Sequence, residues 1–526
     1  MAKTVKNPVE RRIEILQGMW LEKSAKKSKV LLWDMEDEEI NFIYAFTALQ
    51  RHNTLYDVSD MFISFRAPFD TLFGYSRALR NELLESYNNS LAEQGISADW
   101  QLPPEANADS VAGTLACLQS FIHCYQTRFR YLVVALTPDS VSRQSSFLNW
   151  MQLALQHEWP HNLRIMLLQS QSDPAWRPLA QEYPDDVQIL QPKLYSQTLV
   201  AEIANQSTED NTSFLYRRFM TDSLTLLKLG TPQQVAERAQ KALALAQQKD
   251  WFEQQVFMHN LTAGAWLKAQ AIPEAVQAYR LACGQAALIK HAPVKYQLTV
   301  QSLMGEAGAW FSGKHYQQAA DIYARSAATA LQIPHPLFAI EGYRMAGYCH
   351  QCNSQNALAM GFYREAIRVA AQLPADERKL TTLGVILQSL LAMQDKKRAG
   401  ALVKKAADYS QQLSALQQKA EKQALASGIY PQPGKIALLE QQMEQAMEQA
   451  FLTCCRQRET LIRQSGSAFQ KIIFVGRELL NLHWSGSPDI AHPFDKNSEE
   501  WQAPLSFIRT EPDATESLLN EGQAKK

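Results

Sequence analysis

Residues 263–282 read AGAWLKAQAIPEAVQAYRLA, and the stretch returns in altered form at 307–326, AGAWFSGKHYQQAADIYARS, and at 347–366, GYCHQCNSQNALAMGFYREA. Ala275, Ala319 and Ala359 hold the same place in each copy, followed four residues later by Tyr279, Tyr323 and Tyr363. Three residues beyond the tyrosines come Ala282, Ser326 and Ala366. Upstream, Ala263, Ala307 and Gly347 match one another, as do Trp266, Trp310 and His350. Ala236 and Ala399 extend the series, with spacings of 39, 44, 40 and 40 residues. Small side chains at these offsets let two antiparallel helices touch closely, while the aromatics fill the gaps between successive pairs. A period of this size built from helix pairs predicts a stacked helical array, an architecture that mostly binds other macromolecules.

Over roughly residues 225–410 the pattern resembles tetratricopeptide repeats, which place small, aromatic and alanine residues at these offsets. The usual unit is about 34 residues, so this chain departs from it through longer helices or connections. The resemblance implies a protein client or peptide as partner. Contacting residues are expected on the exposed sides of the first helices, around Lys268, Lys314 and Gln351. The tryptophans and tyrosines of the repeat are expected inside the stack.

The first 205 residues follow another rule: short apolar runs alternate with helical patterns, the signature of an open, mostly parallel α/β sheet. The runs are 30–33, 60–65, 131–136, 163–168 and 187–190, with helices expected over 69–93, 110–128 and 143–157. The fold class is therefore α/β plus all-α. A sheet domain followed by helical repeats resembles the layout of signalling ATPases. That family implies a phosphate loop, G-x-x-x-x-G-K-[ST], after the first strand. Here the first strand leads instead into Asp34-Met35-Glu36-Asp37-Glu38-Glu39, which has five carboxylates and no glycine and would repel a triphosphate. Gly313-Lys314 reads as a helix-ending glycine. The resemblance thus implies a degenerate ATPase fold with no nucleotide cofactor.

Two readings of the acidic run stay open. Asp34, Glu36 and Asp37 sit where open sheets bind ligands and could hold a divalent cation or a basic partner segment. Equally, the run is an acidic first helical turn, favoured by the helix dipole, with Asp34 or Asp37 as its cap. Thr137-Pro138-Asp139-Ser140 similarly reads either as a magnesium-binding strand end or as a turn followed by a helix N-cap.

Other chemistry is sparse. Cys349-His350-Gln351-Cys352 lacks the second ligand pair that a zinc site needs, and His350 occupies the repeat's tryptophan position. Neither a G-x-S-x-G elbow nor an H-E-x-x-H motif is present, so no catalytic, metal or cofactor residue is assigned. The net charge of −1, from 52 basic and 53 acidic residues, carries no global footprint for nucleic acid. No eighteen-residue apolar run predicts a membrane span. The basic N-terminus lacks a signal-like apolar segment, and seven scattered cysteines suit a reducing compartment, so a cytoplasmic location is expected.

Beyond the repeats, Gly428–Gly434 breaks the helix, 435–464 forms a long amphipathic segment, and 467–483 is almost wholly apolar. This pair is expected either to cap the stack or to present a groove to a partner. The domains are drawn at 1–205 (sheet), 206–425 (repeats), 426–490 (helical cap) and 491–526 (mobile tail). The sum suggests a non-catalytic adaptor or chaperone, with secretion-effector loading as one setting. A ligand- or nucleotide-responsive regulator and an enzyme with a dispersed site are the alternatives.

Overall fold

The computed structural model describes residues 7–51, 59–94, 99–104, 109–195, 202, 211–333, 336–426, 433–493 and 505–520. They fall into two compact units, Met1–Ile203 with Ser414–Ala446, and Ala204–Leu413 with Met447–Lys526.

In the first unit, β1 (Val30–Met35), β2 (Met61–Phe65), β3 (Leu132–Leu136), β4 (Leu163–Ser170) and β5 (Val187–Leu190) form one parallel sheet in the order β2-β3-β4-β1-β5. Interior strand β1 is buried along its whole length, which is why it reads as a continuous apolar run and not as an alternation. One face is covered by α1 (Pro8–Ser24) and α2 (Ile40–Arg51), whose Ile13, Leu16, Trp20, Ile43 and Phe46 pack on Leu31, Trp33 and Val133. The other face packs α3 (Leu72–Gln94), α4 (Val111–Tyr125), α5 (Gln144–Gln156) and α6 (Arg177–Glu182) through a core that includes Tyr75, Phe121, Trp150 and Leu179. Helix α1 went unread in the sequence. Its start is set by a capping box, in which Asn7 and Glu10 satisfy each other's backbone N–H groups.

The second unit opens with consecutive helices, each packed on the next: α7 (Asn211–Leu229), α8 (Pro232–Gln248), α9 (Phe252–Lys268), α10 (Ile272–Ala286), α11 (Ala292–Ser312), α12 (Tyr316–Ala330), α13 (Leu337–Cys352) and α14 (Asn356–Ala371). The repeat alanines Ala275, Ala319 and Ala359 are fully buried, and Tyr279, Tyr323 and Tyr363 lie inside with them. Small residues are required where tyrosines land: a Cβ on Gly305 would stand 2.3 Å from Cε1 of Tyr279, and one on Gly347 would stand 2.7 Å from Cε1 of Tyr363.

The turns within the pairs repeat as closely as the helices. Gln270, Lys314 and Ser354 take left-handed backbone conformations (φ 60°, 61° and 60°). The next residue's N–H returns five residues to the carbonyl of Trp266, Trp310 or His350, at 3.0, 2.9 and 2.9 Å. This is the Schellman closure, most often made with glycine. Gly313 is therefore not the left-handed residue of its turn: it sits one place early, at φ −75°, against Ile272 and His315, and Lys314 takes the strained position.

After α15 (Ala375–Lys379) and α16 (Leu383–Gln394) come two long helices, α17 (Lys396–Leu425) and α18 (Pro433–Arg463), then α19 (Ser467–Leu479) and α20 (Ala514–Asn520). Phe469, Ile472 and Ile473 of α19 join Ile386 and Leu387 of α16 in one core, so α19 closes the apolar end of the stack. The helix break expected at 428–434 lies largely outside the described residues; Gly434 belongs to α18. The unit boundaries differ from the expected cuts: the end of α17 and the start of α18, where Ala420 and Ala424 pack on Ile436, group with the sheet. Within the expected tail, Leu505, Ala514 and Leu518 are buried and Thr515 donates its N–H to Glu478 at 2.9 Å, so residues 505–520 are anchored on α19.

Candidate functional site

Chain direction identifies the ligand-facing edge of the sheet. Strand β1 exits toward β2, across β4 and β3, while β4 exits toward β5 on the far side of β1. Connections that diverge from neighbouring strands leave a crevice at their carboxyl ends. The acidic run begins there.

Its carboxylates have three different fates. Asp34, 1% exposed, is an internal joint that accepts hydrogen bonds from Nε2 of Gln169 (3.0 Å) and Nε2 of Gln191 (2.7 Å). Gln169 is itself fixed, because its Oε1 accepts from the Trp176 backbone N–H at 2.8 Å. Asp37 is exposed and accepts from the hydroxyls of Ser170 and Ser172, which hold its carboxyl below the usual range. Glu36 stands in water at the rim of a cleft of about 500 Å³, lined also by Glu39, Gln171, Gln191, Lys193 and Tyr195. A short 3-10 turn, Asp37–Glu39, precedes α2, and Glu36 at its cap position makes no side-chain capping bond. Neither Asp34 nor Asp37 caps the helix, since each is already engaged with β4, its following loop or β5.

Beside this run lies a second cleft of about 520 Å³, lined by Tyr44 and Thr47 of α2, Ser64 and Arg66 from the end of β2, and Thr137 and Asp139 after β3. Its floor is low because Ser64 and Ala135 pair in register, so small side chains lie side by side on the sheet. Arg66 and Asp139 form an ion pair at 2.6 Å, with side chains 72% and 55% exposed. Such a pair contributes little to stability and leaves both charges reachable. The N-cap expected at 137–140 is absent, because Val141 forms a parallel bridge with Phe69 and draws that loop into extended structure. Helix α5 starts only at Gln144, behind Arg143, without a side-chain cap. A third cleft, of about 300 Å³, shares Tyr44 and Thr137 and adds Gln144, Phe147, Gln169 and Trp176. Thr137 and Asp139 were singled out in the sequence, whereas Tyr44, Thr47, Ser64 and Arg66 were not. The polar Ser64 inside an apolar run and the arginine just after it were the available signals.

In the helical stack, two of the three expected contact residues are engaged in holding the structure. Lys268 donates from Nζ to the carbonyls of Leu227 (3.0 Å) and Lys228 (3.4 Å), the last turn of α7, where a cation complements the helix dipole. Gln351 accepts from the hydroxyl of Tyr363 at 2.9 Å. Lys314 projects from its turn, exposed. His350 is buried, with Nδ1 2.7 Å from Oε1 of Gln355 and its ring stacked on Phe362 at 5.3 Å. Cys349 is buried, which pushes its thiol up to about 12, whereas Cys352 is exposed.

Among the described residues, no group of three or more His, Cys, Asp or Glu side chains is gathered to hold a metal ion, and no helix is long and apolar enough to cross a membrane. No protein-family model matches the chain, and no curated protein matches it.

Proposed function

We propose that this protein is a non-catalytic adaptor or chaperone that holds a client protein or peptide on its tetratricopeptide-like helical stack. One observation carries the reading. The repeat aromatics are consumed by internal packing, while another set of large apolar side chains on the same helices remains in water. Phe257, Leu281, Leu337, Phe338, Tyr348 and Leu358 are 41–51% exposed. Apolar side chains left in water are surface that a protein partner can cover. The deciding experiment is affinity capture of the full chain from its native host with mass spectrometry. A client recovered in stoichiometric amount, and lost from a Phe338→Asp/Tyr348→Asp variant that keeps its helical circular dichroism, supports the reading. Failure of any protein to co-purify stoichiometrically overturns it.

A second reading is favoured by the clefts at the carboxyl edge of the sheet, where Tyr44, Thr47, Ser64 and Thr137 line the same cleft as an accessible Arg66–Asp139 pair. In this reading a small ligand on a degenerate ATPase-like domain regulates the protein. Calorimetry with millimolar ATP and magnesium tests its nucleotide form. The outward carboxylates of Glu36 and Asp37 argue for no heat of binding there.

A further inference from the structure

The sheet unit carries a helix pair that its sandwich core does not use. The pair consists of the part of α17 from Ser414 onward and the part of α18 up to Ala446. Its buried apolar residues Ala420, Ala424 and Ile436, with Leu439 and Met443, cluster among themselves. None of them belongs to the two clusters that flank the sheet.

Two polar clasps of one polarity join the pair to the sheet domain. In the first, Arg143 at the start of α5 donates to Oε2 of Glu421 at 3.0 Å and to the carbonyl of Ser414 at 2.8 Å. Ser146, one turn on, donates its hydroxyl to the same Oε2 at 2.6 Å. In the second, Arg77 of α3 donates to Oε2 of Glu440, and Asp109 holds Arg77 and Arg80 in place at 2.8 and 2.7 Å. Each time the helix pair supplies the carboxylate and the sheet domain supplies the arginine.

The first clasp is incomplete. The Glu421 side chain is only 8% exposed, and its Oε1 is buried without a hydrogen-bond partner. A buried carboxylate with one oxygen unsatisfied forgoes the hydration it had in water, so release returns part of what separating the ion pair costs. We propose that the helical stretches 414–426 and 433–446 form a releasable strap, seated on α3 and α5 by the Glu421 and Glu440 clasps and able to leave without unfolding the sheet. The first turn of α5 connects this device to the ligand edge: Arg143 and Ser146 hold the strap, and Gln144 and Phe147 between and beside them line the 300 Å³ cleft.

Hydrogen exchange on the full chain tests this with the near-isosteric double variant Glu421→Gln/Glu440→Gln. The expected result is exchange about tenfold faster or more in the amides of 414–426 and 433–446, with β1 to β5 unchanged. Unchanged protection in the strap overturns the proposal, because other contacts would then hold it. Equal loss of protection in the strands also overturns it, because the helix pair would then be an integral part of the fold. Should the double variant not fold, Glu440→Gln alone decides. Faster exchange confined to the strap supports the proposal, and unchanged protection there, or equal loss in the strands, overturns it.

Discussion

The sheet unit buries Trp20, Trp33, Phe46, Phe65, Phe69 and Trp150, large side chains brought together from distant parts of the chain. The helical stack buries mostly alanine, with Ala275, Ala282, Ala307, Ala319, Ala359 and Ala366 all at 0% exposure and a tyrosine set between them in each pair. The first core is non-local, because every strand borrows neighbours from elsewhere in the sequence. The second is nearly one-dimensional, because each helix packs mainly on the helix before it and the helix after it. Damage should therefore spread through the first and stay confined in the second.

Truncation of a core aromatic is the strongest way to break this contrast. Trp150→Ala removes a ring that is 1% exposed and donates to Ser76 at 2.9 Å; Tyr363→Ala removes one that is fully buried. Each should cost about 3–5 kcal/mol. Hydrogen exchange should show loss of protection across all five strands for the tryptophan, but only around α12 to α16 for the tyrosine. A tyrosine variant that loosens α7 to α10 equally would show that the stack is a single cooperative body.

The closed end of the stack carries a pH dependence of its own. Burial, with the nearby Arg477 guanidinium, holds His483 down at about 4, against 6.5 for an ordinary histidine. The imidazole is neutral when folded and takes up a proton on unfolding below 6.5. Its contribution to stability is therefore complete above 6.5 and is lost as pH falls toward about 4. Asp489, raised by burial, works in the opposite sense. Wild type should lose on the order of 1–2 kcal/mol more than His483→Gln between pH 7 and pH 5, measured by urea unfolding.

Two glycines sharpen the packing argument. Gly305→Ala puts a methyl group into Tyr279 and should destabilise by about 1–3 kcal/mol. Gly264→Ala, in the interior of α9 with nothing within 4 Å of the new Cβ, should stabilise by roughly 0.5–1 kcal/mol. The same substitution in neighbouring repeats is thus expected to act with opposite sign in denaturant titrations. The smallest effect lies in the turns. Lys314→Gly removes the penalty of a side chain at φ 61° and should leave stability unchanged or raise it by up to roughly 1 kcal/mol.

The same contrast governs how much could be read from sequence. The five strands were legible because a buried parallel strand is a short apolar run ended by Pro, Asp or a polar loop. Their order was not, since it depends on which strands exchange hydrogen bonds across more than a hundred residues, as β1 does with β4. The repeat was legible because its constraints are short-range: Tyr363 must meet Gly347 sixteen positions earlier. Gly313 ends its helix as read, but the left-handed place in that turn falls to Lys314, which carries no sequence signal for it. Thr137–Ser140 was read as a cap because its residues suit one, and only the partner Phe69 shows why it stays extended. The strap was half legible: its α18 part lies in the stretch read as amphipathic, but nothing local announced that Arg143 and Arg77 stand opposite Glu421 and Glu440.

Gln169 has a consequence of its own. Its amide donates to Asp34 through one end and accepts from the Trp176 N–H through the other. Glutamate there would face a carboxylate with a carboxylate, and lysine would leave the Trp176 N–H with nothing to bind. Of the common long polar side chains, only an amide can speak both dialects at once. The first strand's aspartate therefore ties the chemical alphabet of a residue 135 positions away to a single letter. In any variant that survives selection for folding, positions 34 and 169 should change together or stay as they are.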